Sequence, residues 1–377
     1  MFEKKIPYLL LGLLVIYVFQ ESVLIFKPFA PAAGILVVVI SLYYYFKILL
    51  SSERKQILVV SLSLLLLSYL FSFLLAEDVQ IAISYLKHFI FVNFIFFPYF
   101  YFSKKKILKD HFFVVALPLF TLLYIQSYFY HFNQILLLRN NSDLEIGKVT
   151  NNVGYGFVGL LPFLPFIRKK IFRLFFYCII LAFTLYSAKR GAIIILAFSS
   201  LILLKDLFKE IKVSKYKYFF YVLVLVLLWE GGSLLNKFFM ENLEVSNRFV
   251  ELAEGNSSGR DSLFTNLINK FLETNSLFIY LFGSGLGATI IFVGKAAHND
   301  WIELLVNNGV VGLVLLFSYY GAILKMVLNK CFEQNRMYLL ICFFILAIKT
   351  LFSMSFTDTD SIPIIMMLGF FMGKIVK

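Results

Sequence analysis

Charge, cysteine, histidine and tryptophan are all scarce in this chain of 377 residues. Charged side chains make up 15% of it, apolar ones 60%, and the mean hydropathy is +0.85. A water-soluble domain carries roughly a quarter charged residues, so a soluble globular fold of this length is excluded. The three cysteines cannot build a disulfide framework: Cys178 and Cys342 lie in apolar runs and Cys331 in a basic loop. With four histidines in the whole chain, no His/Cys cluster has the spacing of a zinc site. Period-2 alternation of apolar and polar residues is also missing, which excludes a membrane β-barrel. There is no internal repeat and no low-complexity tail.

What is present is one apolar run after another. A spanning helix needs roughly 20 mostly apolar residues at about 1.5 Å rise each. Runs that meet or approach this lie at 7–26, 28–46, 57–76, 79–102, 111–130, 152–167, 171–187, 191–204, 218–235, 301–324, 338–353 and 361–373. The expected fold is all-α, a polytopic integral membrane helical bundle of about 12 transmembrane helices. Residues 1–235 would hold membrane helices 1–9, residues 236–300 a polar loop subdomain, and residues 301–377 membrane helices 10–12.

Lys and Arg mark the loops that stay in the cytoplasm. With the N-terminus inside, the inner segments hold 23 of the 35 cations with six acids beside them, a net charge of +17. The outer segments hold ten cations and sixteen acids, a net charge of −6. Both termini are therefore expected in the cytoplasm, and the basic pI is a topology signal that needs no nucleic acid to explain it. A basic start followed by two apolar runs, with APA at Ala30 to Ala32, fits an uncleaved signal anchor better than a cleaved leader.

The one long polar interruption, 236–300, is expected to lie outside. It reads as NRFVELAEGNSSGR, then DSLFTNLINKFLE, then FIYLFGSGLGA. In the second piece Leu263, Leu267 and Phe271 recur every four residues with Phe264 and Ile268 beside them. That stripe predicts an amphipathic helix lying on the membrane or capping the bundle.

Several residues stand out against this background. Lys189 and Arg190 occupy a short turn, YSAKRGA, that the charge pattern places outside. They are either cations snorkelling at a helix end or an anion site in which guanidinium meets phosphate. Arg260 follows the flexible GNSSG run and is either a solvated surface residue or a second anion contact. His298 stands immediately before a helix that returns to apolar sequence, AHNDWIELLVNNGVVGL. A helix start supplies backbone N–H donors and a positive dipole end beside a side chain able to take a proton. Asp300 and Glu303 have capping-box spacing there, a structural role for Glu303. Lys87 and Lys349 fall within spans, where a cation at the bilayer centre costs about 2.5–3.5 kcal/mol. Each would snorkel or line an outward-facing cavity, and His88 reads as a packed polar residue. GSGLGA at Gly283 to Ala288 imitates a dinucleotide loop without the strand and helix that loop requires, so its glycines are expected to permit a tight turn. The DTD of Asp358 to Asp360 is either a cation-binding acid pair or an ordinary acidic outer loop.

SAKRGA after a span, SSGRDSLF in the large outer loop, LFGSGLGA, and AHNDWIELLVNNGVVGL opening the next span together resemble the O-antigen ligase and O-antigen polymerase family. These are bacterial membrane glycosyltransferases of lipopolysaccharide and polysaccharide biosynthesis. The resemblance covers roughly residues 180–325 by motif and the whole chain by span count. It implies a location in the bacterial inner membrane, a site facing the periplasm, and an oligosaccharide donor linked to undecaprenyl pyrophosphate.

Carried over position by position, the resemblance implies catalytic roles for Arg190, Arg260 and His298. Lys189, Lys87, Lys349 and Asp300 are the candidate substrate-binding residues. The turn here has Ala188-Lys189 where the family often has small hydroxyl residues. No cofactor and no metal is implied. The implied partners are the lipid-linked oligosaccharide, a glycan acceptor (a lipid-linked repeat unit or lipid A core), the bilayer and a chain-length regulator protein, with no nucleic acid. HNDWIELL is closer to the polymerase form of the motif than to the ligase form. A transporter or flippase would share the span number, but repeated halves and midplane binding residues are absent from the sequence.

Overall fold

The computed structural model describes residues 2–140, 152–187, 189–210, 260–328 and 333–375. Among these, every regular element is a helix. The expected run at 218–235 and the piece NRFVELAEGNSSGR, except for its last residue Arg260, lie outside the described residues.

In chain order the α-helices are α1 (Ile6–Val18), α2 (Ala30–Leu49), α3 (Ile57–Leu74), α4 (Val79–Asn93), α5 (Phe96–Lys104) and α6 (Asp110–Asn140). They continue with α7 (Val153–Val158), α8 (Lys170–Tyr186), α9 (Arg190–Glu210), α10 (Arg260–Glu273), α11 (Leu277–Phe282) and α12 (Ala288–Val293). The series closes with α13 (Asp300–Leu328), α14 (Glu333–Phe352) and α15 (Ile362–Ile375). Five stretches among the described residues are long and apolar enough to cross a membrane: α2, α3, Val79–Lys104 across α4 and α5, Asp110–Gln134 of α6, and α13. The chain is a helical membrane protein. The run expected at 152–167 is not one continuous α-helix; it is the six-residue α7 followed by a 3-10 segment, Leu161–Phe166, with Pro162 and Pro165 removing helical donors.

The helices are apolar on both faces, as lipid contact requires. On α3, Leu58, Leu62, Leu65 and Tyr69 face inward while Leu64, Leu67, Phe71 and Leu74 are exposed. In lipid, helices gain little by hiding apolar surface from one another, so close backbone approach has to hold them together. Gly369 and Gly373, four apart on α15, let that helix press against α5. A Cβ at these positions would lie 2.5 Å from the carbonyl oxygen of Phe96 and 2.3 Å from that of Phe100. Ser103 Oγ then donates across the same seam to the Phe370 carbonyl at 2.7 Å.

α13 carries the most informative irregularity. At Gly309 (φ 67°, ψ −165°) its helical path is broken. The break frees carbonyls that an intact helix would satisfy, and the GSGLG loop supplies the missing donors. Ser284 N donates to Val306 O at 2.9 Å and Gly285 N to Asn307 O at 3.2 Å, while Ser72 Oγ of α3 also reaches Asn307 O. The approach is backbone to backbone. A Cβ on Gly283 would sit 2.3 Å from the Asn307 carbonyl carbon, and one on Gly309 would sit 2.4 Å from that of Leu281. The glycines of this loop therefore do more than turn the chain; they seat it in the broken helix.

α10 forms over the predicted amphipathic stretch, and Leu263, Leu267 and Phe271 are its buried face. They pack with Ala288 of α12, with Ala297 just before α13 and with Val306 of α13 into a small second core, so α10 caps the bundle. Segments of like expected sidedness come together at one end. Glu53 pairs with Lys104, and Asp110 with Lys374 at 3.0 Å, joining three segments expected at the inner face.

Candidate functional site

The segment Ala297 to Asp300 is clamped on both sides of His298. Ala297 N donates to Glu303 Oε2 at 2.7 Å. Asn299 Oδ1 accepts from Trp301 N at 2.9 Å and Ile302 N at 3.2 Å, and its amide donates to Leu351 O at 3.0 Å. Asp300 Oδ2 accepts from Ser355 N at 2.6 Å. Asn299 is thus the helix cap, and the expected capping box built on Asp300 does not form. Asp300 is buried and ties the start of α13 to the chain that follows α14. Glu303, also buried, accepts from Tyr85 Oη at 2.7 Å, from Thr289 Oγ1 and from Asn307 Nδ2 at 3.1 Å, so its role is structural, as expected. With Ala297, Asn299 and Asp300 all buried, the left-handed backbone at His298 (φ 53°) turns that one residue outward, where it is exposed.

The C-terminal end of α14 faces this clamp. Arg260, the first residue of α10, donates through Nη1 to Phe352 O at 2.9 Å, beside the Leu351 carbonyl held by Asn299. A guanidinium at a helix C-terminus is favoured by the dipole, and its fork carries further donors. Gly191, second residue of α9, allows a close approach to the same place: a Cβ there would lie 2.4 Å from Tyr155 Oη and 2.6 Å from Phe352 Cβ. That contact carries Lys189 and Arg190, both half-buried, to the end of α14.

Lys349 lies one turn back on α14 and is buried, so it neither snorkels nor opens to solvent. Its Nζ pairs with Asp358 Oδ2 at 3.0 Å, donates to Ser361 Oγ at 2.8 Å and stands 5.4 Å from the centre of the Tyr155 ring. Asp358 Oδ1 caps the short turn that follows, accepting from Asp360 N at 3.1 Å. The DTD segment thus has its first carboxylate committed to a lysine. Among the described residues, no group of three or more His, Cys, Asp or Glu side chains is placed to hold a metal ion. Lys87 is exposed on α4 and enters none of these contacts.

The electrostatics follow from this packing. Although His298 is exposed, neighbouring groups crowd one side of its ring, and that partial loss of solvent, then the positive charges of Arg260, Lys189 and Lys295, hold the imidazole below its ordinary pKa, with Asp358 opposing them. It is neutral at pH 7 and able to accept a proton. Asp360 is pushed the other way: burial first, then the Asp358 carboxylate, hold its carboxyl well above the usual range, against Lys349 and Lys189. The structure therefore gathers Lys189, Arg260 and His298 within one another's electrostatic reach, with Arg190 adjoining. It adds Tyr155, Lys295 and the Lys349–Asp358 pair, which the sequence did not single out together. The available signal was a lysine inside a span nine residues before an acidic turn, since a buried cation needs a partner. Chemically, the arrangement offers a neutral base beside several cations, suited to taking a proton next to an anionic group.

The sequence matches no known family model, and no curated protein matches it.

Proposed function

We propose that the chain is a glycosyltransferase of the bacterial inner membrane, working at the periplasmic face as an O-antigen or polysaccharide repeat-unit polymerase. Its donor is oligosaccharide carried on undecaprenyl pyrophosphate, and about twelve spans with both ends in the cytoplasm set the cation cluster outside. The observation that carries this reading is His298, turned outward from a clamped helix start beside Arg260, Lys189 and Lys295, whose charges favour its neutral form. A pyrophosphate leaving group needs cations, and a hydroxyl acceptor needs a base.

In the reaction, the bond between the donor's anomeric carbon and the pyrophosphate oxygen breaks and its electron pair leaves with the lipid pyrophosphate. Arg190, Arg260 and Lys189 neutralise that charge. The acceptor hydroxyl oxygen forms the new bond to the anomeric carbon and passes its proton to His298, a role worth about 10²–10⁴ in rate. Transport is less well supported. The carbonyls freed at the break in α13, which in a transporter would coordinate an ion, are met here by Ser284, Gly285 and Ser72.

Reconstitution of the purified protein with lipid-linked repeats alone is expected to give a ladder of products on a sizing gel, lost in His298→Ala and Arg260→Ala. A product formed only after lipid A core is added would make the enzyme a ligase. No glycosidic bond under either condition would refute the proposal.

A further inference from the structure

A cavity of about 290 Å³ opens beside the DTD turn, between the end of α1, α4, α6 and the start of α7. Its volume is at the lower end of the roughly 300–1,000 Å³ of ligand sites, room for one small ring. Tyr124, Ser127, His88, His131, Asn152 and Asp360 line it. Among the described residues no lysine or arginine does. Glu21 is the further ionisable group at its wall. A phosphate or a uronate would meet the Glu21 carboxylate here, with no cation in the described lining to pair with it.

The lining can both donate and accept. His88 uses Nδ1 on the Ser84 carbonyl at 2.7 Å, which leaves Nε2 as an acceptor in that tautomer. Burial and the Asp358 carboxylate push the Asp360 carboxyl toward its protonated form, in which it donates as well as accepts. Tyr124 is 1% exposed and its hydroxyl, buried at the cavity, has no hydrogen-bond partner among the described residues. Buried hydroxyls are almost always paired, so this one points to a missing ligand or water. A ligand with several hydroxyls, each both donor and acceptor, and an apolar ring face for the tyrosines fits such a wall.

The turn itself divides two environments. Asp358 faces the cation cluster through Lys349, while Asp360, two residues on, faces the cavity. We propose that this cavity is the acceptor subsite, holding one uncharged or amino-bearing pyranose ring across the DTD turn from the cations that take the donor's pyrophosphate. The assignment rests on the glycosyltransferase reading above, and it is tested through binding as well as turnover.

The full-length protein in lipid nanodiscs is probed by saturation-transfer NMR with the methyl glycosides of glucose, glucosamine and glucuronic acid, with inorganic phosphate and with Mn²⁺ as competitors. The glucoside and glucosaminide are expected to bind and the glucuronide to fail. Ser127→Trp, which fills the cavity, is expected to abolish binding. Tyr124→Phe should weaken it by about tenfold, the measure of one lost hydrogen bond. Lys270→Gln, exposed on α10 and outside the cavity lining, should leave binding within about twofold, since no contact with the sugar is removed. Thermal melts of each variant establish that it is folded. Equal binding of glucuronide, displacement by phosphate or Mn²⁺, or unchanged binding in both folded cavity variants would overturn the subsite. Transfer at the wild-type acceptor KM in folded Ser127→Trp would overturn it while leaving the enzyme reading intact. Saccharide binding with no transfer by the wild type would overturn the enzyme reading instead.

Discussion

Asp358→Asn is expected to destabilise the protein more than Lys349→Met, although the two remove the same ion pair. The asymmetry comes from burial: the lysine side chain is 2% exposed and the aspartate 20%. Without the carboxylate, the ammonium keeps only Ser361 Oγ and the face of Tyr155. Stranding a buried charge in this way costs about 3–5 kcal/mol. Without the lysine, Asp358 can be rehydrated and still accepts from Asp360 N, so the loss should be about 1–2 kcal/mol, the cost of a partly satisfied polar group. Lys349→Met/Asp358→Asn should then cost less than the sum of the two single changes, since it strands no charge. SDS titration of the purified protein in mixed micelles, followed by far-UV circular dichroism, measures all four. Equal losses from the single variants, or a larger loss from Lys349→Met, would refute the argument from burial.

Two further outcomes follow from the site and from the broken helix. His298, depressed by burial and by neighbouring cations, should give kcat/KM an acid limb below its ordinary value of about 6.5, because the base is lost as it protonates. Arg260→Gln removes one opposing charge, so its residual activity should show that limb moved to higher pH; an unmoved limb would remove Arg260 from the electrostatics of His298. Gly309→Ala meets both a left-handed backbone and the Leu281 carbonyl carbon 2.4 Å away, so it should cost about 2–5 kcal/mol from strain and overlap together. Gly294→Ala, equally left-handed at φ 78° but with nothing within 4 Å, should cost only about 1–2 kcal/mol. The same titration compares them, and equal losses would mean that the loop does not seat in α13.

The helical membrane class is written in the sequence because lipid demands continuous apolar runs, and α2, α3 and α13 form where those runs lie. The buried stripe of α10 was equally legible, since Leu263, Leu267 and Phe271 repeat at helical spacing. Asn299 and Asp300 were not separable by sequence: both are good caps, and the backbone turn at His298 decides which of them sits at the helix end. The break at Gly309 was hidden because VNNGVVG is apolar enough to read straight through, while the donors that satisfy it come from Ser284, Gly285 and Ser72, far away in the chain. Lys349 was recognised as costly in a span, but its partner follows only from the fold. Periodicity reports which face is apolar and says little about which distant residue answers a buried charge.

The contact between Gly283 and Gly309 closes the intervening chain into a pinned loop, with His298 on its rim. The entropy of closing that loop is spent when the protein folds, not when a substrate arrives. A side chain carried in this way is already in position before any reactant enters; under the proposed function, the energy of substrate binding is then left to orient the sugar and the leaving group.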